Sequence, residues 1–141
     1  MSLTSNFVRQ HDDILKVASE IGGELETLEL NVQAERIDKI LLLLTRLAGK
    51  LTAHLTMEDN VLYPKLYEHN KPEVQAKAKE FFNEMGALRS VFETYIDKWM
   101  DKSAIENDSQ AFIGETQGLF TALQERIDRE NHDLYPLASD L

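Results

Sequence analysis

With 141 residues, the chain is long enough for one hydrophobic core, and we expect a single domain over residues 1–141. Its formal net charge of -10 argues against nucleic acid as a partner, and its lack of cysteine excludes disulfides, thiolate metal sites and thiol catalysis. No apolar run approaches the roughly 18–20 residues that cross a bilayer, and MSLTSNFVRQ lacks the pattern of a signal peptide. We therefore expect a cytoplasmic protein that has no membrane partner.

Apolar residues at helical spacing predict two amphipathic helices in the first half of the chain. The first begins near Ser5, a good N-cap residue, and stays helical as far as Leu30 although Gly22-Gly23 weaken it. Its inward stripe consists of His11, Ile14, Leu15, Ala18 and Ile21. The second runs from about Glu35 to Leu62, and Pro64 ends or kinks it. Its inner face consists of Ile37, Ile40, Leu41, Leu44, Leu47, Leu51, His54, Glu58 and Leu62.

The second half predicts two more helices, separated by the linker DKSAIENDSQ. The third helix starts at Pro72, a residue suited to a first helical turn. Its seam is close to a heptad repeat: Ala78, Phe81, Met85, Leu88, Phe92, Tyr95 and Trp99. The fourth continues to Pro136, and its inner face consists of Phe112, Leu119, Leu123, Arg126, Glu130 and Leu134. Four amphipathic helices with short connections predict an all-α, antiparallel, up-down-up-down four-helix bundle.

Polar side chains interrupt these apolar seams at one end of the predicted bundle. They come from the start of the first helix and the ends of the second and fourth: His11, His54, Glu58, Arg126 and Glu130. Antiparallel order places them at one level, together with Met85 from the third helix. We therefore predict that these six side chains converge in one layer of the bundle.

The spacing of His54 and Glu58 suits metal binding, because residues four apart project from the same helix face. Two imidazoles with carboxylates suit non-heme iron, and manganese or zinc less specifically. Taken alone, an inward histidine is more often a hydrogen-bonded core residue, and a helical glutamate is usually solvated. The convergence of five polar seam residues favours the metal site over that interpretation.

The segments HLTMEDNVLYP and RIDRENHDLYP repeat one pattern, which aligns Glu58 with Glu130 and His54 with Arg126. Together with the inward His11, this pattern resembles the hemerythrin-like, or HHE cation-binding, family over nearly the whole chain. The resemblance implies a four-helix bundle whose core holds two iron ions, with histidine ligands from every helix and two bridging carboxylates. Carried over position by position, it implies a set of metal ligands in this chain: His11, His54, Glu58 and Glu130.

The chain departs from the family pattern at two positions, where Met85 and Arg126 replace the histidines of the third and fourth helices. Because those histidines serve one of the two irons, the resemblance implies at most one bound ion. Arg126 lies one turn from Glu130 and could reach Glu58 across the bundle. Its permanent positive charge would then partly replace the missing cation.

Three functions follow from these patterns. The first is a module that binds one ion, preferably iron, and senses a diatomic ligand or iron or stores the metal. The second is a metal-free bundle that regulates a protein partner. The sequence fits a metal-free protein as well as one that holds an ion. The helix 4 pattern ALxxRxxxE is similar to the regulator-of-sigma-D family, whose members bind a sigma factor without iron. The third, an oxidase or repair enzyme with two metals, is disfavoured because half its ligands are missing, so we expect no enzyme.

Overall fold

The computed structural model describes residues 3–138, and within that range it contains helices and no strand. Four long helices form the body of the molecule: α1 (Leu3–Leu30), α2 (Ala34–Met57), α4 (Pro72–Trp99) and α6 (Ser109–Arg129). Two short α-helices and a terminal 3-10 turn complete it: α3 (Tyr63–Tyr67), α5 (Lys102–Asn107) and Tyr135–Ala138. The prediction of an all-α fold is confirmed.

Contacts between helix ends give the order of an antiparallel bundle. His11, near the start of α1, lies against His54, near the end of α2, with 4.5 Å between ring centroids. Arg126, near the end of α6, bonds to Phe81 in the first half of α4. Since α1 packs against both α2 and α6, the starts of two helices and the ends of two others share one end of the bundle.

Two predicted features at the ends of the helices are wrong. α1 begins at Leu3, so Ser5 is inside the helix and is not its N-cap, while the prediction that helix continues to Leu30 is confirmed. The segment predicted as a linker contains α5, whose Ile105 is buried in the core. Aspartates cap both helices in this segment. Asp101 accepts a hydrogen bond from the backbone N–H of Ser103 at the start of α5, and Asp108 accepts one from the backbone N–H of Ala111 at the start of α6.

A π turn follows α2 over Glu58–Leu62, and another follows α6 over Glu130–Leu134, so each turn begins at a glutamate predicted as a ligand. The backbone N–H of Tyr63 bonds to the carbonyl of Glu58, and that of Tyr135 bonds to the carbonyl of Glu130. The proline that follows each tyrosine has no N–H to donate, so the α-helical pattern would lose a bond there in any case. The helix therefore widens and continues beyond each proline, and residues five apart face the core together.

A layer of buried polar side chains divides the core into two apolar clusters, and it contains His11, His54, Glu58 and Glu130. The larger cluster fills the body of the bundle and includes Ile14, Leu51, Leu55, Met85 and Ile127. The smaller cluster lies beyond the layer and consists of Phe7, Leu62, Tyr63, Leu66, Val74, Ala78, Phe81, Leu134, Tyr135 and Ala138. The buried histidines and glutamates are thus enclosed by apolar packing along the bundle axis.

The continuous helix Ala34–Tyr67 is long and apolar enough to cross a membrane when judged by length and composition alone. Its most apolar window has a mean hydropathy of 1.2. The core helix of a bundle meets the same criterion, and this helix carries the inward face that packs the larger cluster.

Candidate metal centre

Four side chains from three helices meet in the polar layer and bring together donors that suit a metal ion. His11, His54, Glu58 and Glu130 are all between 0 and 2% exposed. One donor atom from each lies within 4.8 Å of the others. The Nε2 atom of His11 is 3.4 Å from Oε1 of Glu130, and Nε2 of His54 is 3.4 Å from Oε2 of Glu58. The structure therefore brings together all four residues that the sequence proposes as ligands.

Both imidazoles are oriented by amide oxygens behind them. Nδ1 of His11 donates to Oδ1 of Asn131 at 2.8 Å, and Nδ1 of His54 donates to Oε1 of Gln10 at 2.6 Å. An amide oxygen can only accept, so each Nδ1 carries a proton and each Nε2 is turned towards the carboxylates, where it could offer its lone pair to an ion. Burial also lowers the pKa of His11, which keeps its ring neutral at neutral pH. Metal-binding histidines are typically fixed by such a second hydrogen bond.

The two carboxylates meet inside the bundle with few partners of their own. Oε1 of Glu58 and both carboxylate oxygens of Glu130 are buried and have no hydrogen-bond partner among the described residues. Burial, followed by the negative charge of Glu58, raises the pKa of Glu130 well above its ordinary value. Buried oxygens without donors are costly, and a cation placed between these carboxylates and the two Nε2 atoms would satisfy them. The residues present therefore fit a metal ion.

Comparison with known protein families agrees with this geometry. The family model described as the hemerythrin HHE cation binding domain matches residues 2–138. The chain belongs to the hemerythrin HHE family. No curated protein and no solved structure matches the chain. The resemblance predicted from the repeated pattern is thus confirmed, and the buried His/Glu group gives this hemerythrin domain side chains that could hold a metal.

Arg126 lies inside the hemerythrin domain, 5% exposed, but it does not hydrogen-bond to Glu58 as the sequence suggested. Its Nη1 donates to Glu84 at 2.7 Å, its Nη2 donates to the carbonyl of Phe81, and its guanidinium lies 4.4 Å from the centroid of the Phe81 ring. These partners on α4 draw the group away from the carboxylate pair. Its charge still acts on Glu130, whose raised pKa it partly lowers.

Met85 is buried in the larger apolar cluster of the hemerythrin domain and offers no imidazole to the layer. Glu84, the residue before it, accepts hydrogen bonds from both Arg126 and Arg129. Glu84 was not predicted from the sequence because it precedes the inward position by one residue and is half-buried. The α4 side of the layer is therefore an ion-pair cluster that joins Glu84 of α4 to Arg126 and Arg129 of α6.

Two tyrosines of the hemerythrin domain also reach the layer, and neither was predicted from the sequence. The hydroxyl of Tyr135 donates to Oε2 of Glu58 at 2.7 Å, while the buried hydroxyl of Tyr63 has no hydrogen-bond partner in the described part of the chain. Burial and the two carboxylates raise the pKa of both phenols. The signal was the repeated spacing, since each tyrosine follows a site glutamate by five residues and precedes a proline.

Proposed function

We propose that this hemerythrin domain binds a single iron ion through His11, His54, Glu58 and Glu130. The observation that carries the proposal is the orientation of the donors. Both Nδ1 atoms bond to amide oxygens, and both Nε2 atoms face a buried carboxylate pair in which Oε1 of Glu58 and both oxygens of Glu130 lack hydrogen-bond partners among the described residues. Two imidazoles with two carboxylates form a donor set that suits iron, and manganese or zinc less specifically.

The proposal is limited to one ion because the other half of the layer offers no further imidazole. Arg126 and Met85 occupy it, and a guanidinium remains protonated while a thioether is a poor ligand for ferric iron. The two remaining histidines are engaged elsewhere: Nδ1 of His69 accepts from the backbone of Lys71, and Nδ1 of His132 donates to the carbonyl of Asp128. A fixed positive charge near Glu130 then stands in part for the second cation.

Bound iron would supply a redox couple and a coordination position for a small ligand such as a diatomic gas. The chain itself would hold the ion in a layer closed on both sides by apolar clusters, which limits access by water. We propose that the protein uses this site to sense iron or a diatomic ligand and that it is cytoplasmic.

We expect the protein, freed of metal with a chelator and titrated with ferrous iron without oxygen, to bind one ion per chain. The Asn131→Leu variant should bind iron about 10–100-fold more weakly, because loss of an outer hydrogen bond frees the ring and tautomer of His11. Equilibrium dialysis followed by elemental analysis measures both the stoichiometry and the affinity.

His132→Gln is the matched control, since it removes an exposed histidine directly beside Asn131. This variant should bind iron like the wild type. Two ions per chain, or equal weakening by both variants, would contradict the proposed single site.

A second function, regulation of a protein partner by the metal-free bundle, is supported by a groove between α4 and α6. The groove encloses about 570 Å³ and is lined mainly by apolar residues, among them Leu88, Val91, Tyr95, Leu119 and Ala122. Grooves between amphipathic helices suit the apolar face of a partner's helix. The iron titration separates the two functions, because a chain that binds no iron would leave only this one.

A further inference from the structure

Tyr135 places a phenol oxygen among the four proposed ligands, at a position for which the sequence pattern assigned no role. Its hydroxyl oxygen lies 2.7 Å from Oε2 of Glu58, 3.0 Å from Nε2 of His11 and 3.4 Å from Nε2 of His54. One oxygen thus contacts a donor atom from three of the four residues. The ring is held by stacking on Phe7, with 5.6 Å between centroids, and on His11, with 5.3 Å.

These distances are those between ligands that surround one ion. Nitrogen and oxygen ligands lie about 2.0–2.2 Å from a metal such as zinc. Two such ligands are then about 3.0 Å apart when they meet at a right angle and about 3.4 Å apart at tetrahedral corners. The contacts of the Tyr135 oxygen with His11 (3.0 Å) and His54 (3.4 Å) fall in this range, as do the two 3.4 Å contacts between imidazole and carboxylate, whereas its 2.7 Å contact with Glu58 is that of a hydrogen bond. The oxygen is therefore spaced from both imidazole Nε2 atoms as one ligand of an ion is spaced from another.

We propose that Tyr135 is a fifth protein ligand of the ion, bound through its phenolate oxygen. The inference rests on the proposed function and adds a residue to that site. On binding, the O–H bond breaks, a metal–oxygen bond forms, and the proton leaves to solvent without transfer of an electron. A phenolate is a hard, anionic oxygen donor, so this ligand favours ferric iron over softer divalent ions.

The π turn explains how this tyrosine reaches the site. In an α-helix, residues three and four apart share a face, which would direct Asp133 or Leu134 towards Glu130. The N–H of Tyr135 instead bonds to the carbonyl of Glu130, five residues earlier, and the phenol turns inward. Extra turns of this kind are frequent at functional sites.

Tyr63 offers a matched control within the same chain. It follows Glu58 through the second π turn, precedes a proline, and is as deeply buried as Tyr135. Its hydroxyl bonds to neither imidazole, and the charge of Arg126 acts on it. A ligand role for Tyr135 therefore predicts different results for the two tyrosines.

The test loads metal-free wild type, Tyr135→Phe and Tyr63→Phe with one equivalent of iron from ferric nitrilotriacetate. Wild type and Tyr63→Phe should show a visible phenolate-to-iron(III) charge-transfer band. Tyr135→Phe should lose that band while it still binds one ion through the four remaining ligands. Dialysis measures the bound iron separately from the colour, so loss of the ligand and loss of the site are distinguishable.

Resonance Raman spectra of wild type and Tyr63→Phe, with and without ring-deuterated tyrosine, give a second readout that does not require Tyr135→Phe to fold. Tyrosinate ring modes should be enhanced in both proteins and should shift with deuteration. An unchanged band in Tyr135→Phe, or colourless wild type with one ferric ion bound, would overturn the inference but not the proposed function. Wild type that binds no iron in dialysis would overturn both.

Discussion

Glu130→Gln is expected to weaken iron binding by more than about a hundredfold, and yet to stabilise the metal-free protein at neutral and alkaline pH. The loss of affinity follows from removal of an anionic ligand, which should exceed the roughly 10–100-fold effect of an outer hydrogen bond. The gain in stability follows because Glu130 is fully buried and its carboxylate oxygens lack hydrogen-bond donors. A neutral amide of the same shape removes the charge and can donate to Glu58.

The stability difference should depend on pH in a defined direction. Burial and the charge of Glu58 raise the pKa of Glu130 in the folded protein above its ordinary value. Between those two values the folded chain keeps a proton that the unfolded chain releases, so the free energy of unfolding falls as pH rises. Glu130→Gln abolishes this loss. Its free energy of unfolding should therefore exceed that of the wild type by an amount that grows with pH to about 1–3 kcal/mol, the cost of an unsatisfied buried polar group.

Denaturant unfolding of chelator-treated protein across a pH series measures this effect, and Glu125→Gln is the matched control. Glu125 lies on the exposed face of α6, where removal of the charge should change stability little. A Glu130→Gln protein that is less stable than wild type throughout the series would show that the metal-free site does not suffer from its buried carboxylates. Unchanged iron affinity in the same variant would remove Glu130 from the ligand set.

The sequence alone predicts the fold and the meeting of the four proposed ligands for one physical reason. Helical periodicity places His54 and Glu58 on one face, and antiparallel order brings them to the level of His11 and Glu130. The structure agrees on each of these positions. Such residues need only a regular helix and a correct helix order, both of which a pattern of apolar residues determines.

The remaining features depend on contacts or on departures from regular helix, which periodicity does not describe. Tyr63 and Tyr135 face the core only because π turns shift the helical register by one residue. The prediction that Arg126 reaches Glu58 was wrong because its guanidinium bonds to Glu84 and to the carbonyl of Phe81 instead. A long flexible side chain selects among partners that only the assembled structure makes available.

Arg126→Met is expected to lower the free energy of unfolding of the metal-free protein by about 2–3 kcal/mol at neutral pH. Removing one member of a fully buried ionic pair costs about 3–5 kcal/mol. The expected cost is smaller here because the side chain of Glu84 is 39% exposed and keeps its bond to Arg129. What remains is the carbonyl of Phe81 without its donor, the lost stacking on the Phe81 ring, and a buried Glu130 without a neighbouring cation.

Arg129→Met is the control that isolates burial, because both arginines bond to the same oxygen of Glu84. The side chain of Arg129 is 42% exposed, and an exposed ion pair contributes at most about 1 kcal/mol. Without Arg126, the pKa of Glu130 should rise further, since the positive charge lowers it in the wild type. The stability lost in Arg126→Met should therefore shrink as pH falls and Glu130 takes up a proton, whereas the stability lost in Arg129→Met should not depend on the protonation of Glu130.

Chelator-treated wild type and both variants, unfolded in denaturant across a pH series, give the comparison. Equal, small and pH-independent losses in the two variants would mean that Arg126 merely packs between α4 and α6. A larger loss in Arg126→Met that fades with acidification would support its charge as a substitute for the second cation.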